Sequence, residues 1–289
     1  LGYGIWQFTG TGWVHDTVPT TTADLHTGFE ANGGAVVFGS STEGWLYKGG
    51  HYTKLGTGST GQTSSGVSFA LGADTTHVWA VSGSASDVEV RYYDGTGWTT
   101  QTLPLDYASN GVSPSGGVAV SDTSAFIIAY GAGTGYVFHW DGASWSTEHS
   151  VTGSYNAIWA RNGNEIYFAR NDGTVELRDN TGAYHDYLTS GASQVPAVAM
   201  YSDTGGFAFR NSGVMLHWNG TSLDSIGVGV SNPGAAWAAN SQNAWVAHYS
   251  GSIGYWNGAA LTSQSLGGPA AIGVGGKTAK DVWAVVFTG

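Results

Sequence analysis

The chain has 289 residues and a net charge of −11, with nine Lys and Arg against 20 Asp and Glu, so it lacks the basic clusters that contact with nucleic acid or an anionic membrane requires. It contains no cysteine, which removes disulfides and thiolate metal sites, and it has no apolar run of membrane-spanning length and no visible signal peptide. Its 47 glycines accompany 13% aromatic residues, a pairing that suits many short strands joined by tight turns and not a disordered chain.

Taken in chain order, the first strand signal is Gly4-Ile5-Trp6-Gln7-Phe8, followed by Thr9-Gly10 and then Trp13. The same order of aromatic, polar residue, glycine and large apolar residue returns along the chain. It reads Tyr93-Asp94-Gly95 with Trp98, Trp140-Asp141-Gly142 with Trp145, Trp218-Asn219-Gly220 with Leu223, and Trp256-Asn257-Gly258 with Leu261. Two degenerate copies fill the gaps: Tyr47-Lys48-Gly49 with Tyr52, and Asp179-Asn180-Thr181-Gly182 with Tyr184. Anchored on the polar residue at 9, 48, 94, 141, 180, 219 and 257, the spacings are 39, 46, 47, 39, 39 and 38, and the step from 257 through 289 back to 9 is 41.

Two apolar runs precede each anchor. The first is small and mixed, as in Ala157-Ile158-Trp159-Ala160 and Ala235-Ala236-Trp237-Ala238. The second is more hydrophobic, as in Val78-Trp79-Ala80-Val81, Phe126-Ile127-Ile128-Ala129 and Val282-Trp283-Ala284-Val285. Short β-branched and aromatic runs between Gly, Asn and Asp turns are strand signals, and no stretch has a capped helical period. Four strands in about 40 residues is the size of a propeller blade.

The expected fold is therefore all-β: one domain over 1–289, a seven-bladed β-propeller of four-stranded blades. The segment Asp281–Phe287 reads as a second strand with no third, and Gly4–Phe8 as a third strand with no second, so together they complete the last blade. The start at Leu1, without a methionine, reads as that of a processed product or a piece of a longer polypeptide.

The runs His77-Val78-Trp79-Ala80-Val81 and Asp281-Val282-Trp283-Ala284-Val285, with the Trp-Asp-Gly-x-x-Trp turn, resemble repeats of bacterial secreted propellers and are loosely similar to tectonin-type and related bacterial lectin propellers. The resemblance implies a tendency toward sugar binding. Asp94-Gly95-Thr96-Gly97-Trp98 departs from the Asp box of sialidase-like propellers because its glycine is adjacent to the aspartate, and WD40 and kelch signatures are absent.

Residues that recur in register are expected to be scaffold, and those that break it are candidates for function. Trp13, Tyr52, Trp98, Trp145 and Tyr184 either stack on sugar faces or anchor the fourth strand, and packing is the favoured reading. His139 and His217, each two residues before an anchor, read as structural. The turns between second and third strands begin with a cationic or titratable residue in three successive blades: Arg170-Asn171-Asp172, Arg210-Asn211-Ser212 and His248-Tyr249-Ser250. By the propeller layout they share a face with the blade-to-blade connections, including the one holding Tyr107, and could bind a carboxylate or sugar hydroxyls; the alternative is ordinary solvated turns. The ligand-binding candidates are thus Arg170, Asn171, Asp172, Arg210, Asn211, His248, Tyr249, Tyr107, Trp98 and Trp145.

The glutamates are scattered over several blades, and no catalytic elbow, zinc helix or phosphate loop appears, so no enzyme, cofactor or metal is expected. The leading expectation is an extracellular or surface-exposed module, bacterial or viral, that binds a glycan or a surface protein. The alternatives are an attachment domain of a larger surface or virion assembly and, third, a polysaccharide-cleaving enzyme.

Overall fold

The recurring sequence signature is a hairpin. Its two large residues face each other across the third and fourth strands, as Phe8↔Trp13, Tyr47↔Tyr52, Tyr93↔Trp98, Trp140↔Trp145, Trp218↔Leu223 and Trp256↔Leu261. The polar anchor caps the turn between them. Asp94, Asp141, Asn219 and Asn257 each accept the backbone N–H groups two and three residues on through Oδ1, at 2.8–3.0 Å. The glycine after the anchor adopts φ near +90°, between 88° and 95° in these four turns, which only glycine enters without strain.

One anchor moves by a residue. Asp179, not Asn180, caps the degenerate turn, because that turn runs from Asp179 to Ala183 and is one residue longer than the others. The other degenerate copy needs no cap: Lys48 pairs with His51 around Gly49 and Gly50, both at positive φ, in a two-residue hairpin.

The computed structural model describes residues 4–17, 25–31, 34–39, 43–55, 67–84, 87–105, 110–189, 194–229, 231–267 and 270–287. Their strands form seven four-stranded antiparallel sheets, the expected blades, in two compact units.

The unit of Pro19–Tyr155 holds three blades. They are β3 (Leu25–Ala31), β4 (Gly34–Gly39), β5 (Gly44–Lys48) and β6 (His51–Lys54); β7 (Phe69–Gly72), β8 (Val78–Ser84), β9 (Asp87–Tyr93) and β10 (Trp98–Gln101); and β11 (Ser113–Ser121), β12 (Ser124–Gly131), β13 (Thr134–Trp140) and β14 (Trp145–Thr152).

The unit of Leu1–Val18 with Asn156–Gly289 holds four. Three are β15 (Tyr155–Asn162), β16 (Glu165–Arg170), β17 (Thr174–Arg178) and β18 (Tyr184–Thr189); β19 (Ala197–Ser202), β20 (Gly205–Phe209), β21 (Val214–Trp218) and β22 (Leu223–Val228); and β23 (Pro233–Asn240), β24 (Asn243–His248), β25 (Ser252–Trp256) and β26 (Leu261–Ser265). The fourth joins β27 (Ala270–Thr278) and β28 (Asp281–Phe287) to β1 (Gly4–Phe8) and β2 (Trp13–Thr17), in the order β2-β1-β28-β27. There β1 pairs with β28 from Gly4↔Val286 to Phe8↔Val282, as the two half-blades of the sequence require.

The second strand of each blade carries the core. Phe38, Trp79, Phe126, Phe168, Phe207 and Trp245 are all at most 1% exposed, each contributing about 1.5–3 kcal/mol by burial. Successive sheets within a unit share clusters, such as Trp79 with Trp140 and Trp145, or Trp245 with Val282 and Ala284. These strands are buried on both faces, which explains their unbroken apolar runs.

Candidate functional site

Two kinds of turn close the blades, and they differ in what they leave free. The capped third–fourth turns are tied to the first–second turn of their own blade. Trp140 Nε1 donates to Asp122 O at 3.1 Å and Trp256 Nε1 to Ser241 O at 3.0 Å. A Cβ on Gly142 would lie 2.9 Å from Thr123 Cγ2. The Thr96 hydroxyl and the Gly97 and Thr96 amides hold the Asp94 carboxyl down to about 2, and similar donors lower Asp141 and Asp179.

The fourth-strand aromatics belong to packing. Trp145 is 6% exposed and its Nε1 donates to Gln101 Oε1 at 2.7 Å. Trp98 meets Phe38 edge-on at 6.0 Å and Tyr93 at 5.2 Å, with its indole nitrogen buried. Trp13, Tyr52 and Tyr184 lie 5.5, 4.8 and 5.5 Å from Phe8, Tyr47 and Phe168. All five rings pack against a cross-strand or neighbouring ring, the packing role expected of them; Trp145 is buried, and Trp98 is half-buried. His139 stacks on Phe126 at 4.4 Å and pairs with Glu148, while His217 stacks on Phe207 at 5.0 Å and meets the Tyr201 hydroxyl at 2.7 Å. Both are structural.

The second–third turns are built differently. Arg170, Arg210 and His248 each accept, through the main-chain carbonyl, the N–H of a glycine three residues on, and Gly173, Gly213 and Gly251 take positive φ. These turns do share a face with the connections that enter and leave each blade. Asn211 N–H donates to Gln194 O at 3.2 Å and Tyr249 N–H to Asn232 O at 3.3 Å, while Gly229 and Leu266, beyond the fourth strands, donate to Gly213 and Gly251.

The three lead residues meet different fates. The Arg170 guanidinium reaches Asp172 at 2.7 Å, Glu176 at 3.3 Å and Asp186 at 3.7 Å, all on its own blade, so Arg170 and Asp172 satisfy each other. Asn171 is exposed. His248 is 4% exposed, its Nε2 is buried without a hydrogen-bond partner, and burial pushes its pKa down against an opposing backbone hydrogen bond at Ser231. It sits beneath the surface as a neutral ring. Arg210 is half-buried, and no acceptor or carboxylate among the described residues meets its guanidinium, whose Nε is buried. Beside it, Asn211 Nδ2 donates to Gln194 Oε1 at 2.8 Å, and in the next blade Tyr249 stands 58% exposed. Tyr107 lies outside the described residues.

Sequence reasoning missed Tyr130. It is 45% exposed near the end of β12, beside a two-residue turn that is closed by Gly131↔Thr134 and holds Ala132 and Gly133 at positive φ. An aromatic residue directly before the small Gly131-Ala132-Gly133 turn was the available signal. Among the described residues no cluster of His, Asp and Glu suits a metal ion.

The fold these sheets define is that of the seven-bladed β-propellers, and solved structures bear this out over nearly the whole chain. The structure is similar to YCF48 from Cyanidioschyzon merolae at a TM-score of 0.65 and 10% identity, covering 98% of this chain and 99% of that one. It is similar to YCF48 bound to D1 peptide at 0.66 and 14%, covering 100% and 99%. It is similar to the WD40 β-propeller domain of Doa1 at 0.65 and 12%, covering 98% and 96%. No protein-family model matches the sequence, and no curated protein matches it. At these identities the likeness is one of fold.

Proposed function

We propose that this chain is a non-catalytic binding module that holds an acidic segment of a protein partner on the second–third turns of the unit containing Arg210. The observation that carries the reading is the contrast between two arginines in equivalent turns. Arg170 is compensated by three carboxylates of its own blade, whereas no carboxylate among the described residues pairs with Arg210, although Nε is buried without an acceptor in both. An unpaired, half-desolvated guanidinium supplies the fork that a carboxylate occupies. The Asn211–Gln194 amide pair would flank that carboxylate, and Tyr249 would add apolar contact area. That a similar propeller has been solved with a peptide gives the reading a precedent in fold.

Glycan binding is the second reading, favoured by the exposed ring of Tyr249 and by the few charges of the surface. One experiment separates the two. The intact chain, Arg210→Ala and Arg170→Ala are probed on an array of acidic peptides, the same peptides with each acid replaced by its amide, and a glycan array. The proposal expects capture of acidic peptides that Arg210→Ala weakens by roughly tenfold or more. Capture of glycans alone, or peptide binding indifferent to Arg210→Ala, would overturn it.

A further inference from the structure

The two blade turns anchored by asparagine carry the dipeptide Asn-Gly, the pair most prone to intramolecular attack because no side chain shields the second amide. The surroundings of the two asparagines differ. Asn219 is held at both ends of its amide: Oδ1 accepts from Thr221 N at 3.0 Å and Ser222 N at 2.9 Å, while Nδ2 donates to Ser222 Oγ at 2.9 Å and Asp224 Oδ2 at 3.1 Å. Asn257 is held at one end only, its Oδ1 accepting from Ala259 N and Ala260 N at 2.9 Å. Ala260 and Thr262 stand where Ser222 and Asp224 stand in the other turn, and Nδ2 of Asn257 meets no acceptor among the described residues.

We propose that Asn257-Gly258 is a self-modifying site, deamidating to an aspartate that its turn is already shaped to hold, and that Asn219 is protected from the same reaction by Ser222 and Asp224. The main-chain nitrogen of Gly258, losing its proton to solvent base, bonds to Cγ of Asn257. A proton returns from solvent to Nδ2, the Cγ–Nδ2 bond breaks and ammonia leaves. Water then opens the cyclic imide at one carbonyl or the other, giving aspartate or isoaspartate. No oxidant, reductant or cofactor is needed.

The aspartate product fits because Asp94 and Asp141 occupy the equivalent position in their own blades. Each accepts the same two turn amides, at 2.8–2.9 Å. An isoaspartate adds a methylene to the main chain and would break the alignment of Trp256 with Leu261 that the turn maintains. The site thus has one tolerated and one disruptive product, and the first adds a negative charge to the surface. Of the other Asn-Gly pairs, Asn110-Gly111 and Asn162-Gly163 lie in turns of other kinds and Asn32-Gly33 lies outside the described residues.

The test ages the intact chain in mildly alkaline buffer, with a urea-unfolded sample alongside, and reads each site by peptide mass mapping and isoaspartyl methyltransferase labelling. Asn257 is expected to convert roughly tenfold faster than Asn219 in the folded protein, the ratio that two lost amide hydrogen bonds would produce. The variant Ser222→Ala with Asp224→Ala should bring Asn219 up to the rate of Asn257, and Asn257→Asp should keep the wild-type Tm. Equal rates at the two sites in the folded wild-type chain would overturn the proposal, as would conversion of Asn257 in the unfolded sample only.

Discussion

Gln101 Oε1 accepts the indole N–H of Trp145 at 2.7 Å, and the same oxygen accepts that of Trp79 at 2.9 Å. Trp79 lies in the blade of Gln101 and Trp145 in the next, so one amide oxygen satisfies two ring nitrogens drawn from adjacent sheets of one unit. The rings meet edge-on at 6.4 Å within a shared cluster. Gln101→Leu keeps the volume but strands both donors, and a loss of about 2–4 kcal/mol is expected by urea denaturation. Gln101→Glu keeps the acceptor and should lose less.

The two arginines of the second–third turns should separate in stability as well as in binding. Arg170→Ala removes an ion pair from Glu176, which is only 5% exposed, and should cost about 2 kcal/mol. Arg210→Ala breaks no ion pair among the described residues and should leave Tm within a degree or two of wild type. Thermal unfolding of both variants checks this, and a large loss from Arg210→Ala would assign that side chain to the scaffold.

The capped turns contribute to stability against acid. Asp94, Asp141 and Asp179 all have folded pKa values below their unfolded ones, so their contribution is present above about pH 4 and is lost as pH falls, toward about 2 for Asp94. Asp141→Asn keeps the acceptor and removes the titration. That variant should unfold less steeply with acid than wild type, in a series of melts from neutral pH downward.

His248 acts in the next window up. Burial favours its neutral form, so its contribution is complete above the ordinary value of 6.5 and disappears as pH falls through the lower folded value. The ring signals of His248 in an NMR titration should move at lower pH than those of an unfolded-peptide reference. His248→Gln should reduce the loss of Tm on mild acidification.

The blades were legible because their signature is a cross-strand geometry. Trp140 and Trp145 must be five apart to face each other around a capped turn, and that constraint is local in sequence. The halves of the last blade were legible for the same reason. The site was less so: Ser212 and Leu216 stand where Asp172 and Glu176 meet Arg170, but only the strand register shows that those carboxylates reach the guanidinium. Trp145 posed a different problem: sugar stacking and blade packing both ask for a large flat ring, so residue type alone could not separate them. Tyr130 escaped because its two-residue turn, closed by Gly131 and Thr134, lacks the polar residues and the length of the other three turns.

The pairing of β1 with β28 constrains how the protein can be made. Gln7 Nε2 reaches Asp281 Oδ1 at 3.0 Å across 274 positions of chain, so on the ribosome β1 and β2 emerge long before the strand that will flank them. A two-stranded ribbon is marginal by itself, and its open edge must be kept from foreign strands until translation is nearly done. The other blades can fold hairpin by hairpin as they appear. A stalled or prematurely terminated chain would therefore carry complete blades and one exposed half-blade, the species most apt to be drawn into aggregates or recognised by a chaperone.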